Sequence, residues 1–103
     1  MAKIVINGEE YELEEITAGE DLHVTQESTT WDRATNRPRV NIETYTFGLA
    51  LASLKSWTRK DSEGKRIPIN RETVGALPRT LFAKILSEVN KVNFPEQAAN
   101  FRE

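Results

Sequence analysis

The segment between Asn41 and Trp57 constrains the fold more than any other part of the sequence. Its periodicity predicts a helix over residues 41–57, with Asn41 as the N-cap. At about 100° per residue, a broad apolar stripe holds Phe47, Ala50, Leu51, Leu54 and Trp57, and the opposite side holds Ile42, Tyr45 and Leu49. A helix that is apolar on two sides normally lies between two layers. One stripe therefore faces the chain's own core, and the other faces either another layer of the chain or a partner protein.

The residues at the N-terminus predict a β-hairpin over positions 3–16. A β-branched run precedes Asn7-Gly8, a favoured dipeptide for a tight turn. The return strand alternates apolar and acidic residues, namely Tyr11, Leu13 and Ile16 against Glu10, Glu12 and Glu14. The alternation predicts one buried face and one acidic, hydrated face.

Further patterns predict three more helical segments. Thr17 and Glu20 have the spacing of a capping box, which predicts a helix from about 18 to 29, although residues 22–26 could instead be extended. Asn70 is placed to cap a brief turn through Val74. The clearest amphipathic pattern covers residues 77–93. Asn36 and Pro38 are expected to break regular structure, so residues 30–40 and the polar residues 58–66 are predicted to be loops.

These patterns together predict an α+β fold that is mostly helical, with the N-terminal β-hairpin packed on two or three helices. The length of 103 residues fits a single domain. We expect one globular domain over residues 1–93 and a mobile C-terminal tail over residues 94–103.

The residue types argue against catalysis and against bound cofactors or metals. The chain has no cysteine, and its one histidine, His23, cannot form a two-histidine metal site. Glycine-rich phosphate-binding motifs are absent as well. No stretch approaches the roughly 18 apolar residues of a membrane span. We therefore expect a cytoplasmic protein that is not an enzyme and needs no cofactor.

The net charge of −2 hides an uneven distribution along the chain. Residues 1–30 hold one base and eight acids, a net of −7, which leaves +5 for the remainder. Such an asymmetry can steer a charged partner or align copies of the chain head to tail, and it can equally be an ordinary solvated surface.

Nucleic-acid binding is an alternative function that the basic residues suggest. Eight of them flank the central helix, namely Arg33, Arg37, Arg39, Arg59, Lys60, Lys65, Arg66 and Arg71. With Trp31 and Trp57 nearby, they resemble a phosphate-tracking patch with stacking rings. The sequence pI of about 5.5 argues against this function.

Several short motifs occur in a characteristic order. Ile16-Thr17-Ala18-Gly19-Glu20 follows the hairpin Lys3–Ile16, and the central apolar helix comes next. The run from Ile69 through Val74 to Leu77-Pro78 leads into a last helix, Leu81–Asn93. This layout resembles the small tail assembly chaperones of tailed bacteriophages. Glu20, where that family more often has aspartate, and the long insert Thr29–Val40 depart from its pattern.

The resemblance implies a protein that binds the tape-measure protein and recruits tail-tube subunits in the infected host's cytoplasm. It also implies self-association, absence from the mature virion and, in some members, a longer frameshifted product. The competing interpretation is a structural head–tail joining or minor tail protein. We expect contacts with apolar helical segments of the partner to involve Trp31, Ile42, Tyr45, Leu49 and Phe94.

Overall fold

Strands and helices alternate along residues 2–95, the part of the chain that the computed structural model describes. The elements are β1 (Ala2–Ile6), β2 (Glu9–Leu13), α1 (Ala18–Glu27), β3 (Thr29–Asp32), β4 (Arg37–Val40), α2 (Ile42–Ser53), β5 (Leu54–Trp57), α3 (Arg71–Gly75) and α4 (Arg79–Asn93). The predicted α+β class is confirmed. Most of the predicted mobile tail, residues 96–103, lies outside the described part.

The N-terminal hairpin is confirmed together with its turn. Asn7 and Gly8 both have positive φ, at 53° and 82°, so the turn uses the backbone region that these two residues tolerate best. β1 and β2 pair antiparallel, and Ile4 lies opposite Tyr11. Tyr11 and Leu13 are fully buried, whereas Glu10 is exposed. The alternation of apolar and acidic residues therefore separates a core face from a hydrated face.

Three predicted helix starts have the side-chain caps that the sequence indicated. Thr17 Oγ1 accepts a hydrogen bond from the Glu20 amide at 3.1 Å, and Glu20 Oε1 accepts one from the Thr17 amide at 3.0 Å. Asn41 and Asn70 each accept from the amide of the third residue of their helices. These bonds satisfy backbone donors that a helix start otherwise leaves unpaired.

The predicted central helix is wrong in its last turn. α2 ends at Ser53, and Leu54–Trp57 forms β5, which pairs antiparallel with β2 and places Trp57 opposite Tyr11. The sheet order is therefore β1-β2-β5. Pairing with β5 occupies an edge of β2 that would otherwise be open, and this long-range gain is not encoded in local periodicity.

The predicted loop over residues 30–40 is also wrong, because residues 29–40 form a second hairpin. β3 and β4 pair antiparallel from Thr29↔Val40 to Asp32↔Arg37. Asn36 has a φ of 57° and lies in the connection between the strands. Asn36 and Pro38, which indicated a loop, are tolerated at a hairpin turn and on an edge strand, respectively.

The core lies where α4 meets the three-stranded sheet and α2. α4 contacts β1, β2 and α2. The buried cluster contains Tyr11, Leu13, Leu49, Ala50, Leu54, Trp57, Val74, Leu81, Ile85 and Val89. The Trp57 indole N–H donates to the Ile67 carbonyl at 2.6 Å, so its one polar atom is paired inside this cluster. β3 and β4 contribute no residue to the core, which places their hairpin at its margin.

Candidate functional site

The β3–β4 hairpin pairs with no other strand among residues 2–95. Its cross-strand partners fall into two sets, Thr29↔Val40 with Trp31↔Pro38, and Thr30↔Arg39 with Asp32↔Arg37. Successive residues of a strand point to opposite faces, so each set occupies one face. One face is therefore apolar around Trp31, and the other carries Thr30, Asp32, Arg37 and Arg39.

The apolar face of this hairpin is open to solvent. The exposed fraction is 61% for Trp31 and 38% for Val40, and it reaches 71% for Ile42 at the start of α2. We call Trp31, Pro38, Val40 and Ile42 the hairpin surface. A two-stranded hairpin is marginally stable without a covered apolar face, and a neighbouring cluster of large exposed apolar residues marks an interaction site.

The opposite face and the turn of the β3–β4 hairpin are positively charged. Arg33, Arg37 and Arg39 are exposed, and Asp32 is the one acid between residues 29 and 40. These four residues give the hairpin a net charge of +2. Asp32 Oδ1 accepts from the Ala34 amide at 2.9 Å, while its Oδ2 is 4.0 Å from Arg39 Nη1. The partner best suited to this region combines apolar and acidic groups.

The structure separates the five predicted partner-binding residues into two places. Trp31 and Ile42 belong to the hairpin surface. Tyr45, Leu49 and Phe94 instead line a cavity of about 280 Å³, bounded by residues 15–18 and the end of α4. The predicted set is therefore not one continuous surface.

Leu49 is corrected to a core residue, because its side chain is only 3% exposed. Tyr45 is half-buried and links α2 to α1, since its hydroxyl donates to Asp21 Oδ1 at 2.6 Å. That hydrogen bond, followed by burial and the carboxylate charge, raises the pKa of Tyr45 to about 12. Phe94 is 38% exposed at the C-cap of α4. Of the second stripe of α2, only Ile42 is well exposed.

A second cavity, of about 200 Å³, lies between α1 and α2 and was not indicated by the sequence. Gly48 and Val24 form its floor, and the helices approach closely there because Gly48 has no side chain. His23 and Arg71 both pair with Glu27 at the rim, and the Arg71 Nη2–Glu27 Oε2 distance is 3.0 Å. A glycine in the middle of an apolar helix is the one sequence signal for such a close approach.

The predicted nucleic-acid patch loses several of its members in the fold. Trp57 is 2% exposed and packs edge-on against Tyr11, with ring centroids 6.3 Å apart, so its ring is not available to a base. Arg59 pairs with Glu9 at 3.0 Å, and Arg71 pairs with Glu27. Lys60, Lys65 and Arg66 remain exposed, and the exposed tryptophan, Trp31, shares its hairpin with Arg33, Arg37 and Arg39.

The described residues contain neither a metal-binding cluster nor a membrane-spanning helix. Within residues 2–95, no three metal-ligating side chains are grouped so that they could hold an ion. No helix in the same range has the length and apolar character needed to cross a bilayer. Comparison of the chain with family models, curated proteins and solved structures finds no match.

Proposed function

We propose that this chain is a protein-binding module that uses the hairpin surface to hold a partner. The observation that supports this most is the solvent-exposed apolar face of a hairpin that pairs with no further strand in the described part of the chain. Trp31 lies in the middle of β3–β4, and tryptophan is among the side chains that contribute most to binding energy at interfaces.

We infer that the β1–β2 hairpin, packed on α4 and on neighbouring helices, supplies the rigid part of the molecule. The hairpin surface is anchored through Thr29 and Asn41 to the C-terminal end of α1, which in turn contacts α2. Thr29 Oγ1 donates to the Thr25 carbonyl at 2.6 Å, and the Asn41 amide donates to the Ser28 carbonyl at 2.7 Å. A binding element that is fixed at both ends loses less conformational entropy when a partner binds.

The resemblance to phage tail assembly chaperones gives this binding module a biological setting. We propose that its partners are the tape-measure protein and the tail-tube protein. It would act in the cytoplasm of the infected host, without catalysis or cofactor, and would be released before the virion is complete. Self-association of the chain belongs to the same proposal.

The experiment that tests the surface compares two exposed apolar residues. Calorimetric titration with the tape-measure protein of the same phage should give an affinity that Trp31→Ala weakens by about 2 kcal/mol, or roughly 30-fold. Leu22→Ala is the matched control, because Leu22 is 58% exposed on α1 and lies outside the hairpin surface. Equal affinities for the wild type and Trp31→Ala would rule out this surface.

The presence or absence of the chain in the finished virion distinguishes a structural tail or joining protein from an assembly chaperone. Mass spectrometry of purified virions should find no copies if the chain is an assembly chaperone. Stoichiometric copies in the virion would instead identify a structural component.

Nucleic-acid binding is a second candidate, and Trp31 with the three hairpin arginines is the observation that favours it. Its signature is a steep loss of affinity for single-stranded DNA as salt rises, because bound phosphates release counterions. We expect protein binding through the hairpin surface to vary little over the same salt range.

A further inference from the structure

The register of the β3–β4 hairpin determines which backbone groups of β3 face outward. In an antiparallel ladder, alternate pairs exchange both N–H···O bonds, and the residues between them point their backbone groups away from the partner strand. The pair Trp31↔Pro38 cannot exchange both bonds, because Pro38 has no N–H. The amide of Asn41 donates to the Ser28 carbonyl, which extends the alternate set of pairs beyond the hairpin's base.

The hydrogen-bonded pairs are therefore Thr30↔Arg39 and Asp32↔Arg37. It follows that Thr29 and Trp31 point both their N–H and C=O groups toward the outer edge of β3. No other strand among the described residues pairs with that edge.

The two outer edges of this hairpin are not equivalent. The outward positions of β4 are Pro38 and Val40, and a proline on an edge removes a donor that an added strand would need. The outward positions of β3 both retain their N–H groups. Threonine and tryptophan also favour extended backbone. β3 is thus the edge of the hairpin at which every outward position has both an N–H donor and a C=O acceptor for an added strand.

The faces of the hairpin specify the side chains of an added strand. A residue beside Trp31 would lie on the apolar face, and its neighbour beside Thr30 would lie on the polar face. That face carries Asp32 on β3 and Arg37 and Arg39 on β4, which together have a net charge of +1. Apolar and acidic groups at alternate positions would match these surroundings. A second copy of β3 fits less well, because it would place two hairpins of net charge +2 side by side.

We propose that the outer edge of β3 is a strand-addition site for an extended segment of a partner protein with alternating apolar and acidic residues. This inference rests on the proposed function and adds the mode of recognition. Main-chain hydrogen bonds to Thr29 and Trp31 would supply affinity, and contact with the hairpin surface would supply specificity.

The test uses capped peptides of about six residues in which valine alternates with glutamate. Two controls have the same backbone, one with the valines grouped together and one with lysine in place of glutamate. At millimolar concentrations of peptide, the alternating peptide should bind the protein more tightly than either control peptide. Two N-methylated forms, each blocking one alternate set of peptide amides, should bind with different affinities, because only one set of amides faces β3. Equal binding by both N-methylated forms, or no binding by the alternating peptide, would overturn the proposal.

Backbone amide exchange followed by NMR locates the bonds on the protein. Addition of the alternating peptide should slow exchange at Thr29 and Trp31 by about tenfold. The amides of Thr30 and Asp32 should change little, because they are already bonded within the hairpin. A peptide that contacts Trp31 by its side chains alone would shift the indole resonance without protecting these amides, and that result would refute strand addition while leaving the proposed surface intact.

A pair of variants separates the side chain from the backbone. Trp31→Ala removes the indole, and Trp31→Pro removes the outward N–H as well, at a position whose partner in β4 is already a proline. Trp31→Pro should bind the alternating peptide about threefold to tenfold more weakly than Trp31→Ala. Circular dichroism of both variants checks that the fold is retained. The proposal is wrong if two folded variants bind equally well.

Discussion

Leu49 and Ile42 lie on the same predicted stripe of α2, yet one is 3% exposed and the other 71%. Leu49→Ala should lower the free energy of unfolding by about 2–5 kcal/mol, because it leaves a cavity in the core. Ile42→Ser should change it by less than about 0.5 kcal/mol. Urea unfolding of the two variants measures both values, and similar losses would show that Ile42 is also a packed residue.

Tyr45 gives a prediction that depends on pH. Its neutral form donates to Asp21, and the pKa of about 12 in the folded protein exceeds the ordinary tyrosine value of 10.0. The stabilisation that this hydrogen bond gives the folded protein is therefore present below pH 10, and it is lost as the pH rises through the pKa of Tyr45 in the folded protein. Titration of the tyrosinate absorbance should show a late transition that Asp21→Asn moves to lower pH. An unchanged transition in this variant would mean that Asp21 does not hold the hydroxyl.

At the scale of elements, the sequence predicts turns and helix starts correctly where one or two side chains determine the local backbone conformation. The turn at Asn7-Gly8 and the caps at Thr17 and Asn41 depend on neighbouring residues only, so the sequence predicted them correctly. β5 could not be found in this way, because Leu54 and Trp57 also fit the apolar stripe of a helix. Only the long-range pairing with β2 makes residues 54–57 a strand.

The β3–β4 hairpin was missed for a different reason. Pro38 predicts a break in regular structure, but its missing N–H points away from β3 and leaves the ladder intact. Thr29-Thr30-Trp31 has high β propensity, and this was the available signal. Trp31 and Ile42 were nevertheless predicted as partner-binding residues, since large apolar side chains outside the main stripe need cover. That proposal is still to be tested by binding.

The contact between α1 and α2 should be sensitive to one methyl group. A Cβ at Gly48 would lie 2.8 Å from Val24 Cγ1, and the β-branched side chain of Val24 has little freedom to move. Gly48→Ala should therefore lower the free energy of unfolding by about 1–3 kcal/mol. Gly19→Ala in α1 is the control, because a Cβ at Gly19 would meet nothing closer than Thr17 Oγ1, at 4.0 Å. Greater stability of Gly48→Ala than of this control would contradict the close packing.

At the scale of the whole molecule, Asn93 connects parts of the chain that are distant in sequence. Its Oδ1 accepts from the Ile16 amide at 3.0 Å, and its Nδ2 donates to Ser53 Oγ at 2.8 Å. Ser53 is fully buried, so losing this partner leaves a polar group unsatisfied. Asn93→Ala should lower the free energy of unfolding by about 1–3 kcal/mol. Asn90→Ala, at an exposed position of α4, should change it little in the same thermal or urea unfolding experiment.

Acrylamide quenching of tryptophan fluorescence measures whether Trp31 is exposed in the free protein and covered in the complex, and the Trp31→Phe variant isolates the signal of Trp57. In the free protein, Trp31 should be quenched like an exposed indole, while Trp57 is protected. Saturation with the binding partner should shield Trp31 and leave Trp57 unchanged. If Trp31 is already shielded in the free monomer, or if it remains fully quenchable in the complex, Trp31 is not part of a partner-binding surface.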